Sequence, residues 1–444
     1  MQHYLDAVRK AEFVRRIGQV RHIAGLGIES SGPDALVGEV CEIALRTGKR
    51  LLRAEVVGLK EGRVVLMPYG NTHGIGSGSA VIATGTMPQV AVGPALLGRV
   101  IDAFGDPIDD MPSPRTVTHR PLKAAPLNPM SRPRVDTVLE TGVRSIDSML
   151  TLGRGQRVGI FAGSGVGKST LLGMIARHVQ ADINVIALIG ERGREVRDFI
   201  EKHLGEDGLA RSIVVVATSD QPALARARAA YTATAIAEYF RDAGKHVVLT
   251  MDSVTRFAMA KREIGLAVGE PPTARGYTPS VFAELPELCE RCGTAASGGT
   301  ITALYTVLVE GDDFNEPISD VLRATLDGHI MLSRRLAQLG HYPAIDVLQS
   351  ASRLVSDLID GEQLRMLHDA YANLALYDQN RQMIAMGAYR QGSNPDIDRA
   401  IDLHPALTRF LQQPEMESAD RSESREALRA AMQATVTSGG QHGA

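Results

Sequence analysis

Apolar residues along the chain fall into three textures, each with its own structural consequence. From about Arg21 to Gly93 the runs are short and β-type: Glu39 to Leu45, Leu51 to Leu59, Arg63 to Met67 and Ser79 to Ala83. Turn glycines divide them, which predicts a small closed or nearly closed β-barrel. Between Leu97 and about Ala351, strand-like runs alternate with helical stretches. The strand candidates are Arg157 to Phe161, Asn184 to Ile189, Ile213 to Val216, His246 to Met251, Ile301 to Val309 and His329 to Leu332. Their near-continuous Val, Ile and Leu content suits strands covered on both faces, so an α/β fold with a largely parallel sheet is expected. Beyond Asp357 the strand signals fade, and Leu364, Leu367, Leu374 and Tyr377 follow helical spacing. The first eighteen residues read as a short basic amphipathic helix, with Leu5, Val8 and Ala11 among Arg9, Lys10, Arg15 and Arg16. Either partner or membrane-surface docking or a plain capping helix fits it. The domain boundaries that follow are 1–20 for this helix, 21–96 for the barrel, 97–360 for the α/β core and 361–444 for a helical C-terminal domain. That last domain is expected to end in a polar tail after about Pro414, with a mobile segment from Thr435 to Ala444.

A length of 444 residues allows two to four domains and a sizeable core. The formal net charge of -3 gives no global pull toward nucleic acid, and 4% aromatics with no Trp argues against base-stacking platforms. Cys41, Cys289 and Cys292 suit a reducing cytosolic protein. The C-x-x-C at Cys289 to Cys292 has no second Cys or His pair nearby, so a zinc or redox role competes with two thiols on a helix over Glu284 to Arg291. There is no apolar run of about 18 residues and no N-terminal h-region, so a soluble protein with only peripheral membrane contact is expected.

Candidate chemistry begins at Ala162-Gly-Ser-Gly-Val-Gly-Lys-Ser169. The segment follows the apolar run Val158 to Phe161 and precedes Leu171 to Ala176, giving the strand, glycine loop, helix order of a phosphate cradle. Gly163, Gly165 and Gly167 permit backbone conformations that turn successive N–H groups toward β and γ phosphates. Gly163, Ser164, Gly165, Val166, Gly167, Lys168, Ser169 and Thr170 are therefore expected to bind nucleotide. Lys168 adds a point charge and the Ser169 hydroxyl can hold Mg²⁺. Ala162 stands where the strict pattern has glycine. A second glycine-rich run, Asn71 to Gly78, lacks a Lys and a following helix and reads as a barrel turn.

Hydrolysis of ATP needs more than a cradle. Val247-Val-Leu-Thr-Met-Asp252 is a hydrophobic strand ending in a carboxylate, the way a second acidic group reaches Mg²⁺ beside Ser169, directly or through water. The alternative is an Asp that caps Ser253 to Lys261. Ile186-Ala-Leu-Ile-Gly-Glu191-Arg192-Gly-Arg194-Glu195 places charges just after another buried strand, where open α/β sheets hold their ligands. Glu191 is the candidate for orienting or deprotonating water, and Arg192 for holding phosphate. Arg194 and Glu195 read as surface or subunit-interface charges.

Six ordered motifs now carry a resemblance: Phe161 to Ser169, Gly190 to Glu195, Gly276 to Pro286, Leu308 to Pro317, Tyr342-Pro-Ala-Ile-Asp346 and Ser350-Ala-Ser-Arg353. Together, over nearly the whole chain, they closely resemble the ATPase of type III protein export, especially its flagellar member, a family related to the catalytic subunit of rotary ATP synthases. Ala162 is what that family usually shows. The resemblance implies a RecA-like P-loop ATPase core with an N-terminal β-barrel and a C-terminal helical domain. It also gives Tyr342 as the aromatic that stacks on adenine and Arg353 as an arginine finger acting on the neighbouring subunit. It implies further a homohexamer using ATP and Mg²⁺, with Val268 to Arg275 lining a central pore. The implied partners are a stator-like regulatory protein at the N-terminal helix, a central stalk protein, the export gate and chaperone–substrate complexes, but no nucleic acid. The implied location is cytoplasmic, peripheral at the inner face of the bacterial cytoplasmic membrane. Phe314 replaces the family's common Met, and the C-terminal domain lacks the acidic run of a rotary synthase subunit. An ATPase of a virulence injectisome shares every motif; a rotary synthase subunit, a ring RNA translocase and a noncatalytic nucleotide-binding subunit are lesser alternatives.

Overall fold

The computed structural model describes residues 16–46, 51–309 and 316–433. Six strands, β1 (Ile17–Ala24), β2 (Gly27–Ser31), β3 (Val40–Ala44), β4 (Leu51–Lys60), β5 (Arg63–Pro68) and β6 (Ala80–Ala83), close into a barrel in the order β1-β2-β5-β4-β3-β6. Alternation explains its inside: Cys41 and Ile43 of β3 and Ala54 and Val56 of β4 are buried in one apolar cluster, while their neighbours are not. Asn71 to Gly78 falls in the turn between β5 and β6, as expected. The amphipathic helix expected at the N-terminus lies outside the described residues as far as residue 15, and Ile17 and Gly18 already belong to β1.

The nucleotide-domain sheet has nine strands. Eight lie in one path: β7 (Val100–Asp102), β8 (Arg157–Ala162), β9 (Ile183–Ile189), β10 (Ser212–Ala217), β11 (His246–Asp252), β12 (Thr300–Leu308), β13 (Gly328–Leu332) and β14 (Ala351–Ser352). Their order is β14-β13-β8-β12-β11-β9-β10-β7, with the short strand Gly293–Thr294 against β12. All pairings are parallel except β14 on β13 and Gly293–Thr294 on β12. Alternate residues of β9 enter two different cores: Val185 and Ala187 pack on one face, Ile186 and Leu188 on the other. That two-sided burial is why the run read as continuously apolar. On the first face lies the alanine-rich helix α3 (Ala223–Asp242), and on the second α1 (Lys168–His178). Between them in sequence is the short helix α2 (Gly193–Asp198), and α4 (Val254–Val268), α5 (Pro279–Glu290) and α6 (Pro317–Thr325) complete the layer set.

Three helices end the described residues: α7 (Gly361–Ala385), α8 (Pro395–Leu411) and α9 (Arg421–Gln433). Side-chain oxygens of Asp360 and Asn394 accept N–H groups at the starts of α7 and α8, satisfying donors the helix cannot. Helix α9 corrects the expected polar tail: Ser424, Leu428 and Ala431 form one buried face of an otherwise charged segment. Leu367, Leu407 and Leu428 join the core that holds α1, so the terminal helices pack on the phosphate-loop side of the sheet. The linker after α8 is fastened there too, with Gln413 donating to the Gly142 carbonyl and its N–H to the Tyr342 carbonyl. Cys289 ends up inside α5 and Cys292 just beyond it, both fully buried. Burial pushes both thiols up, Cys292 to about 11, which disfavours the reactive thiolate at both positions. Among the described residues no helix is long and apolar enough to cross a membrane.

Candidate active site

Parallel, in-register strands bring their carboxyl ends to one side of a sheet. Ala162 pairs with Leu308 and Leu188 with Asp252, so the loops after β8, β9, β11 and β12 open together. A cavity of about 840 Å³ lies there. Its floor is the glycine loop. Gly165 and Gly167 take φ of 75° and 90°, the left-handed region, and Gly167 caps α1. A Cβ on Gly167 would stand 3.4 Å from Cε1 of Tyr342, so that ring lies against the loop. Gly163, Ser164, Lys168, Ser169 and Thr170 line the cavity; the Val166 side chain instead packs in the core beneath, leaving only its backbone to the ligand. Ala162 is a buried residue ending β8 and its carbonyl accepts from Val309 N–H. A position still in the strand has no need of glycine.

Lys168 Nζ lies 2.5 Å from Asp252 Oδ1 and 3.2 Å from Glu191 Oε1. Burial opposes the charge on this lysine, but Asp252 and then Glu191 more than offset it and raise its pKa. Asp252 ends β11, its Oδ1 also accepts from Thr306 Oγ1 at 2.7 Å, and the cap of α4 is Ser253, so Asp252 faces Lys168 and does not cap. Glu191 follows Gly190, whose N–H donates to the Ala217 carbonyl, while Ser219 N–H donates to the Glu191 carbonyl. A left-handed φ of 70° and an approach of 3.0 Å from the Arg256 side chain reserve position 190 for glycine. The Glu191 carboxyl is raised to about 7, first by burial and then by Asp252, against the pull of Lys168. It also hydrogen-bonds Glu195, whose own pKa is lowered by receiving that bond.

These features make a positively lined cavity, roomy enough for far more than a phosphate, with one carboxylate whose proton affinity suits general-base chemistry. The ATP synthase alpha/beta family, nucleotide-binding domain, matches residues 142–352, its beta-barrel domain residues 20–85, and the T3SS EscN ATPase C-terminal domain residues 359–430. The flagellum-specific ATP synthase of Bacillus subtilis is 54% identical over 428 residues, 96% of this chain and 98% of that protein. The chain belongs to the family of flagellum-specific and type 3 secretion ATPases. The type 3 secretion system ATPase of Xanthomonas euvesicatoria is 52% identical over 90% of each protein. The solved structure of the assembled ATPase EscN from enteropathogenic E. coli superposes with a TM-score of 0.89 at 44% identity, covering 94% of this chain and all of that one. EscN in complex with its central stalk EscO gives a TM-score of 0.86. This export ATPase therefore has the expected fold class and hydrolyses ATP.

The remaining expected residues are dispersed. Arg192 stands at the cavity rim, its side chain 82% exposed and 3.4 Å from Glu195. Glu195 is a surface charge as expected, its side chain 48% exposed, and it also lines the cavity and bonds Glu191; Arg194 is 90% exposed and pairs with Asp198. Arg275, placed with the pore loop, sits on the nucleotide cavity with Glu316 at 2.6 Å. Residues 310–315, including Phe314, lie outside the described residues. Arg353 does not line the cavity. Its N–H donates to the Asp327 carbonyl and its guanidinium to the Arg323 carbonyl, beside the start of β13, about 13 Å of strand from the carboxyl ends. Sequence reasoning missed Arg256, which lines the cavity and has a buried Nε without a hydrogen-bond partner. A basic residue in the first turn of the helix after a strand-ending carboxylate was the signal available.

Proposed function

We propose that this chain is the ATPase of flagellar protein export and acts as a ring of identical copies, a homohexamer, on Mg²⁺·ATP. The observation that carries the reading is Lys168 held between Asp252 and Glu191 at the mouth of the glycine loop. When the β and γ phosphates enter, the Lys168 ammonium exchanges carboxylates for phosphate oxygens, and Glu191 is released toward the water that attacks the γ phosphorus. Glu191 takes that water's proton, and Glu195 is placed to share it. Arg256 and Arg192 add positive charge as the transferred group leaves. The exposed Ser169 hydroxyl and the Asp252 carboxylate are hard oxygen donors that fit Mg²⁺, which when bound neutralises phosphate charge. Gly167 and Tyr342 stand together, which supports Tyr342 as the adenine-side aromatic.

Arg353 is exposed and remote from its own cavity, as a residue serving a neighbour's site must be. The ring, a central stalk protein in its pore, a stator-like protein at the N-terminal segment, chaperone–substrate complexes and an export gate at the inner face of the cytoplasmic membrane complete the proposal. Identity of 54% to a flagellum-specific relative favours the flagellum over the injectisome. In cells lacking this chain, the wild-type protein should restore secretion of hook and filament subunits and Glu191→Gln should not. Full secretion without it, or loss confined to an injectisome, contradicts the reading.

A further inference from the structure

Gln413 takes no part in the chemistry above, yet both polar atoms of its side chain are engaged. Only 4% of the residue is exposed, and it does not line the nucleotide cavity. Its Oε1 accepts from the Arg144 backbone N–H at 2.7 Å, and its Nε2 donates to the Gly142 and Glu417 carbonyls, both at 2.8 Å. A buried amide bonded on both sides cannot turn without stranding its partners, so the backbone at 413 is held in place. What holds it is the stretch in front of β8. Gly142 donates its N–H to the buried Asp147 carboxyl and lies so close to His178, the last residue of α1, that a Cβ there would overlap. Arg144 adds to the hold, its guanidinium donating to the Phe410 and Gln412 carbonyls and pairing with Glu417.

That backbone reaches the nucleotide site. Gln413 N–H donates to the Tyr342 carbonyl at 2.9 Å. Tyr342 depends on such support more than a core aromatic does, because it is 45% exposed and little packing fixes a ring that stands against the phosphate loop at Gly167. Its chain neighbours are held from within their own domain: His341 N–H donates to the Leu336 carbonyl, and the Ala344 carbonyl accepts from Ser333 N–H. At the Tyr342 carbonyl, by contrast, the linker that follows α8 takes hold of the segment.

We infer that Gln413 is a positioning residue for the adenine end of the nucleotide: its locked side chain and its N–H bond to Tyr342 set where that ring stands, and so set affinity for the base without touching the phosphates. The inference rests on Tyr342 as the adenine-side aromatic. Mg²⁺·ADP and Mg²⁺·tripolyphosphate, which has phosphates but no base, are titrated into the full chain by calorimetry. Tyr342→Ala should weaken ADP about tenfold and tripolyphosphate less than about twofold. Gln413→Met, similar in length but without the amide, should weaken ADP about fivefold, again sparing tripolyphosphate, and should raise KM for ATP with little change in kcat. In the double variant ADP should bind no more weakly than to Tyr342→Ala alone, because both changes remove one contact. Unchanged ADP affinity in Tyr342→Ala removes the adenine reading and the inference with it. Where Tyr342→Ala does weaken ADP, the inference alone is overturned by unchanged ADP affinity in Gln413→Met, by an equal loss for tripolyphosphate, or by losses that add in the double variant. Should Gln413→Met not fold, Gln413→Asn, which keeps the amide one methylene short of its partners, is put through the same comparison.

Discussion

Glu191 is largely buried beside Lys168 and Asp252, with the exposed Glu195 bonded to it, and that company sets its working pH. Its carboxyl is raised to about 7, so below that it is protonated and cannot accept a proton from water. The profile of kcat/KM should therefore rise about tenfold per pH unit up to about 7 and then level. Glu191→Gln should keep ATP binding, lose about 100-fold or more in turnover and show no such limb; hydrolysis equal to wild type would remove Glu191 from the mechanism. The bond to Glu195 helps raise that carboxyl, so Glu195→Ala should move the acidic limb to lower pH. A limb that stays in place would leave Glu195 a bystander. At this scale Lys168, Asp252 and Glu191 were legible because each ends or follows a buried strand. Arg256 was missed although its place in the first turn of α4, just after the strand-ending Asp252, was a signal the sequence carried.

Among elements, α1 links the phosphate loop to the terminal helices. Gly173 sits in its middle, where alanine would be better by about 1 kcal/mol on propensity alone. A Cβ there would stand 2.6 Å from His203 Cβ and 2.9 Å from its carbonyl oxygen, an overlap of the kind that costs about 1–3 kcal/mol. Packing should win, and Gly173→Ala should lower Tm by about 2–4 °C per kcal/mol lost; an increase would show that the 199–204 segment yields freely. Strands buried on both faces were readable from composition. The first two barrel strands were not: β1 breaks its alternation with a register shift between Val20 and His22, and β2 mixes Gly, Glu and Ser. Helix α9 escaped for a similar reason, since three small or apolar positions are all it buries.

On the proposed reading, the whole molecule carries two halves of a shared site that do not meet within one chain. Lys168, Asp252 and Glu191 open at the carboxyl ends of the sheet, while Arg353 stands beside the amino-terminal start of β13. Spacing along one chain cannot reveal such a relation, because the contact belongs to two copies; only the family resemblance suggested it. A ring of identical chains would bring the halves together by head-to-tail contact, each interface alike. The most direct test mixes two inactive variants, Glu191→Gln and Arg353→Ala, at concentrations that support assembly. Random assembly makes about a quarter of the interfaces pair an intact Glu191 with an intact Arg353, so ATPase activity should reappear well above the sum of the separate variants. Activity that stays at that sum, or an Arg353→Ala protein as active as wild type, would contradict a site shared between neighbours.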